Sequence, residues 1–216
     1  MDGPQEHPRA GVTARFISLE GGEGVGKSTQ LKALASALRE RGLEVVETRE
    51  PGGSPGAEAI RALLLHDHHW GAEAEALLFA AARADHVAQT IRPALARGAW
   101  VLCDRFVDSS IAYQGGAGGL GFERVRGLHE AGSRGFLPDR TLLLQLPDKE
   151  AAERAGRRDT GGADLIGGRG PDYHRGVAQA FARLAADEPQ RWRVIEASGA
   201  PHTVTARILS AIEDLL

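Results

Sequence analysis

Residues 15–31, RFISLEGGEGVGKSTQL, constrain this chain more than any other stretch: an apolar run breaks into glycines, then into a lysine, a serine and a helical pattern. Gly21, Gly26, Lys27 and Ser28 satisfy G-x-x-x-x-G-K-S, the spacing of a phosphate-binding loop. The glycines let the main chain curl so that successive N–H groups turn toward phosphate oxygens, backed by the positive end of the following helix. Gly21, Gly22, Glu23, Gly24, Val25, Gly26, Lys27, Ser28 and Thr29 are therefore the expected ATP-binding segment, with Lys27 reaching the β- and γ-phosphates and Ser28 ligating Mg²⁺. Only three lysines (Lys27, Lys32, Lys149) occur among 26 basic residues, so the lysine in this loop is not a by-product of a lysine-rich composition.

Such a loop belongs between a strand and a helix, and the periodicity supplies both. Apolar runs at 16–20, 44–48, 100–103, 141–146 and 193–196 read as strands. Helical spacing marks 57–66, a long segment at 72–97 with Pro93 near its end, 108–114, a helix around Leu128, 173–186 and 204–216. Strands alternating with helices predict an α/β chain of the P-loop NTPase fold, a doubly wound five-stranded parallel sheet flanked by helices. In such sheets ligands sit at the carboxyl edge. Two glycine-rich stretches, 115–121 and the arginine-flanked RRDTGGADLIGGRGP, read as a mobile loop and a flexible lid over about 154–171. Residues 1–14 are expected to be a disordered tail and 15–216 a single domain.

Bulk properties restrict the ligand. A net charge of −3 gives no overall attraction to nucleic acid or to an anionic membrane, so phosphate binding must come from local arginines. The single cysteine, Cys103, lies in an apolar run and reads as a buried, inert thiol that suits a reducing cytoplasm. The start of the chain lacks an apolar signal core, and no stretch is long enough to span a bilayer, so a cytoplasmic location is expected.

Binding a triphosphate does not say what becomes of it. A guanine-reading switch needs an Asn-Lys-x-Asp segment, and the chain contains no asparagine. Instead, Arg49, Arg61, Arg83 and Arg105 are predicted at one edge of the sheet, with Arg154, Arg157 and Arg158 on the lid. Jointly they fit two bound phosphate groups, as phosphoryl transfer requires. Asp104, at the tip of a buried strand, is where a phosphate-loop protein places the carboxylate that organises Mg²⁺.

From residue 15 onward, EGGEGVGKSTQ, TREPGG, the Phe79-to-Arg83 spacing, CDRFVDSSIAYQGG and the arginine-rich lid together resemble bacterial thymidylate kinase, which passes the γ-phosphate of ATP to dTMP. The resemblance implies that Phe79 stacks on thymine, that Arg83 donates to a thymine carbonyl, and that Ser110 and Gln114 complete the reading of the base. It implies that Arg49 and Arg105 hold the dTMP phosphate, with Arg61 and Ser109 also at the acceptor. Tyr113 would lie near the sugar 2′ position, and Glu23 would contact the 3′-hydroxyl. Glu20 and Asp104 would help place Mg²⁺ or its waters, although Glu20 equally fits a structural acid at a strand end. The family carries its catalytic arginine either in the phosphate loop or in the lid. The loop here has none, so the task falls to Arg154, Arg157 or Arg158, with Arg158 favoured. Two departures stand out: Asp164 is followed by Leu165, Ile166 and Gly167 instead of completing Asp-Arg-x-Glu, and Phe106 replaces a commoner tyrosine or histidine. Family members pair as homodimers through helices beside the sheet, which here points to the 72–96 helix.

Overall fold

The computed structural model describes residues 13–67, 69–147, 150 and 168–216. Five strands, β1 (Phe16–Glu20), β2 (Val45–Arg49), β3 (Trp100–Asp104), β4 (Arg140–Gln145) and β5 (Trp192–Glu196), form one sheet in the order β2-β3-β1-β4-β5. Every pairing is parallel. Central β1 is buried along its whole length, because both of its faces are covered. Alternation sorts its side chains. Phe16 joins Val101, Cys103 and Leu143 in one apolar cluster, while Ile17 and Leu19 join Leu102, Leu142 and Leu144 in the other.

Helices α1 (Lys27–Glu40), α2 (Pro55–Ala62), α3 (Ala72–His86), α4 (Arg92–Ala96), α5 (Val107–Ser110), α6 (Phe122–Ser133), α7 (Pro171–Asp187) and α8 (Pro201–Ala211) make up the flanking layers among the described residues. Leu31, Leu34, Ala35 and Leu38 are the buried stripe of α1, and Gly42, at φ 82°, leads the chain out of it. Helix α2 opens on Ser54, whose side chain accepts from Ala57 N, with Pro55 at the first helical position.

Three expectations need correction. The 72–97 segment is not one regular helix: α3 passes through a wide π turn at Val87–Ile91 before α4. Pro93 has no N–H to return to the carbonyl four residues back, and the wide turn lies immediately upstream of it. The 57–66 segment likewise widens at Leu63–Asp67. Gly115–Ala117 are also not loop, since they extend α5 as π turns (Ile111–Ala117). A Cβ on Gly116 would lie 2.7 Å from the Ala180 Cβ of α7, so this glycine permits close helix packing. Most of the expected tail, and the lid up to residue 167, fall outside the described residues; residue 171 already begins α7.

Candidate active site

The carboxyl ends of β1, β2 and β3 converge, with Arg49 and Leu19 both in register with Asp104. Between β1 and α1 the phosphate loop turns through Gly21, Gly24 and Gly26 at φ of 136°, 72° and 95°. Gly21 is also sterically required, because a Cβ there would approach the Leu144 carbonyl oxygen to 2.5 Å. Lys27 Nζ donates to the carbonyls of Gly21 and Gly22 at 3.1 and 2.7 Å. Burial and the nearby Arg105 pull the Lys27 pKa down to about 8. Ser28 Oγ donates to Asp104 Oδ2 at 2.7 Å, so the hydroxyl and carboxylate expected at Mg²⁺ are neighbours. One carboxylate, one hydroxyl and phosphate oxygens suit this hard cation, which seldom uses an all-protein cage.

Glu20 is placed differently. It is wholly buried, Oε1 accepts from Phe106 N at 2.7 Å, and Oε2 accepts from Ser109 Oγ at 2.6 Å. Both oxygens thus accept from the protein, as the structural alternative for Glu20 expects. Burial, then the charge of Asp108, raise the Glu20 pKa to about 8. Asp108 is itself tied to Arg191, which donates to both of its oxygens at 2.5 and 2.9 Å.

Arg105 sits at φ 69°, a left-handed conformation rare outside glycine, at the exit of β3. Its Nη1 donates to Gly21 O at 3.0 Å and to Ser109 Oγ at 3.2 Å, and its Nη2 donates to Glu23 Oε1 at 2.5 Å. The guanidinium lies 5.0 Å from the Tyr113 ring centre. Burial alone would lower the Arg105 pKa, but Tyr113 and the carboxylates of Glu23, Asp104 and Glu20 outweigh it and raise the value. Burial would likewise raise the Glu23 pKa, and Arg105, Lys27 and His174 reverse that and lower it.

The lining of a cavity of about 250 Å³ includes Ser28 and Glu23 together with Phe79, Arg83, Ser110 and Gln114. Phe79 and Arg83 lie one turn apart on α3, so they share a face. Phe79 packs with Leu64 and Leu65 from the turn after α2. Arg83 is buried; its Nε donates to Glu50 Oε2 and its Nη2 to Ser110 Oγ, both at 2.7 Å. Glu50 also accepts from His86 Nδ1 at 3.1 Å, and His86 Nε2 lies 2.7 Å from Thr48 Oγ1. Fixed this way, Arg83 cannot swing, and it meets the cavity in one orientation. Breaking such a buried pair on one side costs ~3–5 kcal/mol, because the remaining charge has no water.

Arg49 and Arg61 also line the cavity. Arg49 Nη2 pairs with both oxygens of Glu58 at 3.1 Å, and Glu58 also accepts from Gly53 N. Arg61 Nη1 donates to Pro51 O at 2.6 Å. The structure thus brings together Glu23, Ser28, Arg49, Arg61, Phe79, Arg83, Asp104, Arg105, Ser109, Ser110, Tyr113 and Gln114 around one cavity. Arg154, Arg157 and Arg158 lie outside the described residues. Sequence reasoning missed the carboxylates behind the arginines, Glu50, Glu58 and Glu75; only Glu50 had a local signal, its place within REPGG.

A sequence model of the family described as Thymidylate kinase matches residues 19–208. The chain belongs to the thymidylate kinase family. A thymidylate kinase of Rhizorhabdus wittichii is 64% identical over 207 residues, covering 95% of this chain and all of that protein. One from Bradyrhizobium diazoefficiens is 46% identical over 211 residues, covering 96% and 92%. The crystal structure of thymidylate kinase from Ehrlichia chaffeensis superposes with a TM-score of 0.74 at 30% identity, covering 92% of this chain and 98% of that one. As in its family, the five-stranded parallel sheet carries a phosphate loop after the first strand.

Proposed function

We propose that the cavity holds dTMP with its base at the Phe79 end and its phosphate at the Arg105 end, facing ATP on the phosphate loop. The enzyme transfers the γ-phosphate of ATP to dTMP, giving dTDP and ADP. An oxygen of the acceptor phosphate attacks the γ-phosphorus as the bond to the β,γ-bridging oxygen breaks, and ADP leaves. The protein's task is to position two polyanions and to offset the charge that develops between them.

Each residue then has a defined part. Loop amides and Lys27 hold the β- and γ-phosphates; Lys27 exchanges the Gly21 and Gly22 carbonyls for phosphate oxygens. Arg105 and Arg49 grip the acceptor phosphate, and Arg105 exchanges Glu23 for it, which frees that carboxylate for the sugar 3′-hydroxyl. Phe79 stacks on thymine. Arg83 donates to a thymine carbonyl, with Ser110 and Gln114 completing the edge, and Tyr113 crowds the 2′ position. Ser28 Oγ and Asp104 are the groups that would hold Mg²⁺, which when bound neutralises charge on the β- and γ-oxygens. A lid arginine, Arg158 by preference over Arg154 and Arg157, supplies the remaining positive charge.

The observation that carries this reading is a single cavity lined both by Ser28 of the phosphate loop and by the Phe79 and Arg83 pair. The test is ADP release from ATP and Mg²⁺ with dTMP, dUMP, dCMP, dGMP and thymidine as acceptors. The expected result is turnover strongly favouring dTMP. Equal use of dCMP or dGMP means the pocket reads another base, and no acceptor-dependent ADP release means a binding module without transfer.

We also place the enzyme in the cytoplasm as a homodimer. Among the described residues no helix is long and apolar enough to cross a membrane. Leu77, which is 55% exposed, and Ala81 form an outward apolar strip on α3 that suits pairing through this helix. Light scattering that gives a monomer mass at working concentration removes the pairing.

A further inference from the structure

We infer that Glu75 is a positioning residue for base specificity: by taking the amide nitrogen of Gln114 it fixes which edge of that amide faces the nucleobase. The inference rests on the reading above, in which Gln114 meets the pyrimidine. Gln114 is 3% exposed and lines the cavity. Its Nε2 donates to Glu75 Oε1 at 2.9 Å, while its Oε1 is buried and has no hydrogen-bond partner among the described residues. A carboxylate can only accept, so Gln114 must turn its NH₂ to Glu75 and leave its carbonyl for the ligand. The reversed amide would set oxygen against oxygen where no water can intervene.

Glu75 cannot turn aside. Its other oxygen accepts from Arg169 Nη2 at 2.5 Å. Arg169 Nη1 donates to Tyr173 Oη at 2.6 Å, and that hydroxyl donates to Tyr113 O at 3.0 Å. The chain of contacts thus ties the amide of α5's extension to α3 and to the start of α7. Glu75 is buried and is not among the cavity's lining residues, so it acts on the ligand only through Gln114.

An unpartnered buried acceptor selects a donor. Thymine and uracil carry N–H at ring position 3, whereas cytosine presents a lone pair there; against cytosine, Gln114 Oε1 stays unpaired. The carboxylate charge is what sets this polarity. In Glu75→Gln the new amide gives its oxygen to Arg169, the charged donor, and its NH₂ to Gln114. The Gln114 amide must then reverse and present Nε2 to the base.

The test uses the full-length enzyme and compares kcat/KM for dTMP with that for 5-methyl-dCMP, which keeps the methyl group and sugar but inverts the donor pattern. Glu75→Gln should lower the dTMP preference by about tenfold, the worth of one hydrogen bond to a buried group, chiefly through a higher KM for dTMP. Glu75→Ala, which leaves the amide free to turn either way, should lower it less, and the KM for ATP should not move. A preference within roughly twofold of the parent in Glu75→Gln, including equal losses on both acceptors, overturns the inference. Gln114→Ala separates the two readings: if it lowers the preference while Glu75→Gln does not, only the role of Glu75 fails. If Gln114→Ala also leaves the preference unchanged, Gln114 does not meet the base.

Discussion

At the donor end of the cavity, the groups proposed to meet phosphate come from eight consecutive residues, Gly21 to Ser28, and most are main-chain amides. At the acceptor end, Arg49, Phe79, Arg83, Arg105, Ser110 and Gln114 arrive from β2, α3, the exit of β3, α5 and its extension, and all act through side chains. The donor end is shaped by backbone dihedrals. The acceptor end is held by partners behind the lining: Glu58 behind Arg49, Glu50 behind Arg83, Glu75 behind Gln114 and Glu20 behind Ser109. Amides in a glycine loop recognise a triphosphate whatever base it carries. On the proposed reading, discrimination between nucleobases belongs to this acceptor end, where side chains are fixed by carboxylates of which Glu20, Glu50 and Glu75 are buried.

Substitutions at the two ends should separate accordingly. Lys27→Ala removes the positive side-chain charge of the phosphate loop and should lower kcat by roughly 10²–10³-fold or more for every acceptor; appreciable retained turnover in a steady-state assay would break the donor assignment. Arg83→Ala leaves Glu50 buried beside His86 without its partner. It should cost ~3–5 kcal/mol of stability as well as dTMP recognition. Denaturant melts check the first, and a normal ATP KM beside a raised dTMP KM checks the second. Phe79→Ala should raise the dTMP KM by roughly three- to tenfold, the worth of an aromatic stack, with the ATP KM unmoved.

Acidity sharpens the contrast by smaller amounts. With its pKa near 8, Lys27 loses its proton as pH rises through that value, so ATP should bind the free enzyme more weakly above about pH 8. Calorimetry should find a proton taken up on binding there, while dTMP binding alone changes less. The Glu20 carboxyl, raised to about 8, gives the folded protein a proton that the unfolded chain releases near the ordinary glutamate value of 4.5. Stability from this group is present at low pH and lost as pH rises toward 8, by at most ~1.4 kcal/mol per pH unit. Glu20→Gln should flatten that slope in melts across the interval.

This contrast also explains what the chain discloses before it folds. The donor end is contiguous, so its glycines, lysine and serine can be read directly. The strands are legible because parallel strands buried on both faces are continuous apolar runs, as at Phe16–Glu20. Phe79, Arg83 and His86 are legible as a helical face. Their supports are not: Glu50 meets Arg83 across 33 positions and Glu75 meets Arg169 across 94, and although Glu50 stands within REPGG, no local pattern announces either pairing. Glycine in the 115–121 stretch misleads, because composition cannot separate a residue that gives freedom from one that, like Gly116, lets another helix approach. The wide turns at Val87–Ile91 and Ile111–Ala117 keep the hydrophobic content of a helix, so periodicity does not resolve them.

On the proposed reading, base recognition resides with the α3 face and its buried partners, apart from the loop that grips ATP. A crystal structure of the enzyme with dTMP tests it most directly. The expected result is thymine against the Phe79 ring, a carbonyl of the base within about 3 Å of the Arg83 guanidinium, and the phosphate between Arg49 and Arg105. A pyrimidine lodged elsewhere, with Arg83 still bound only to Glu50 and Ser110, would contradict it.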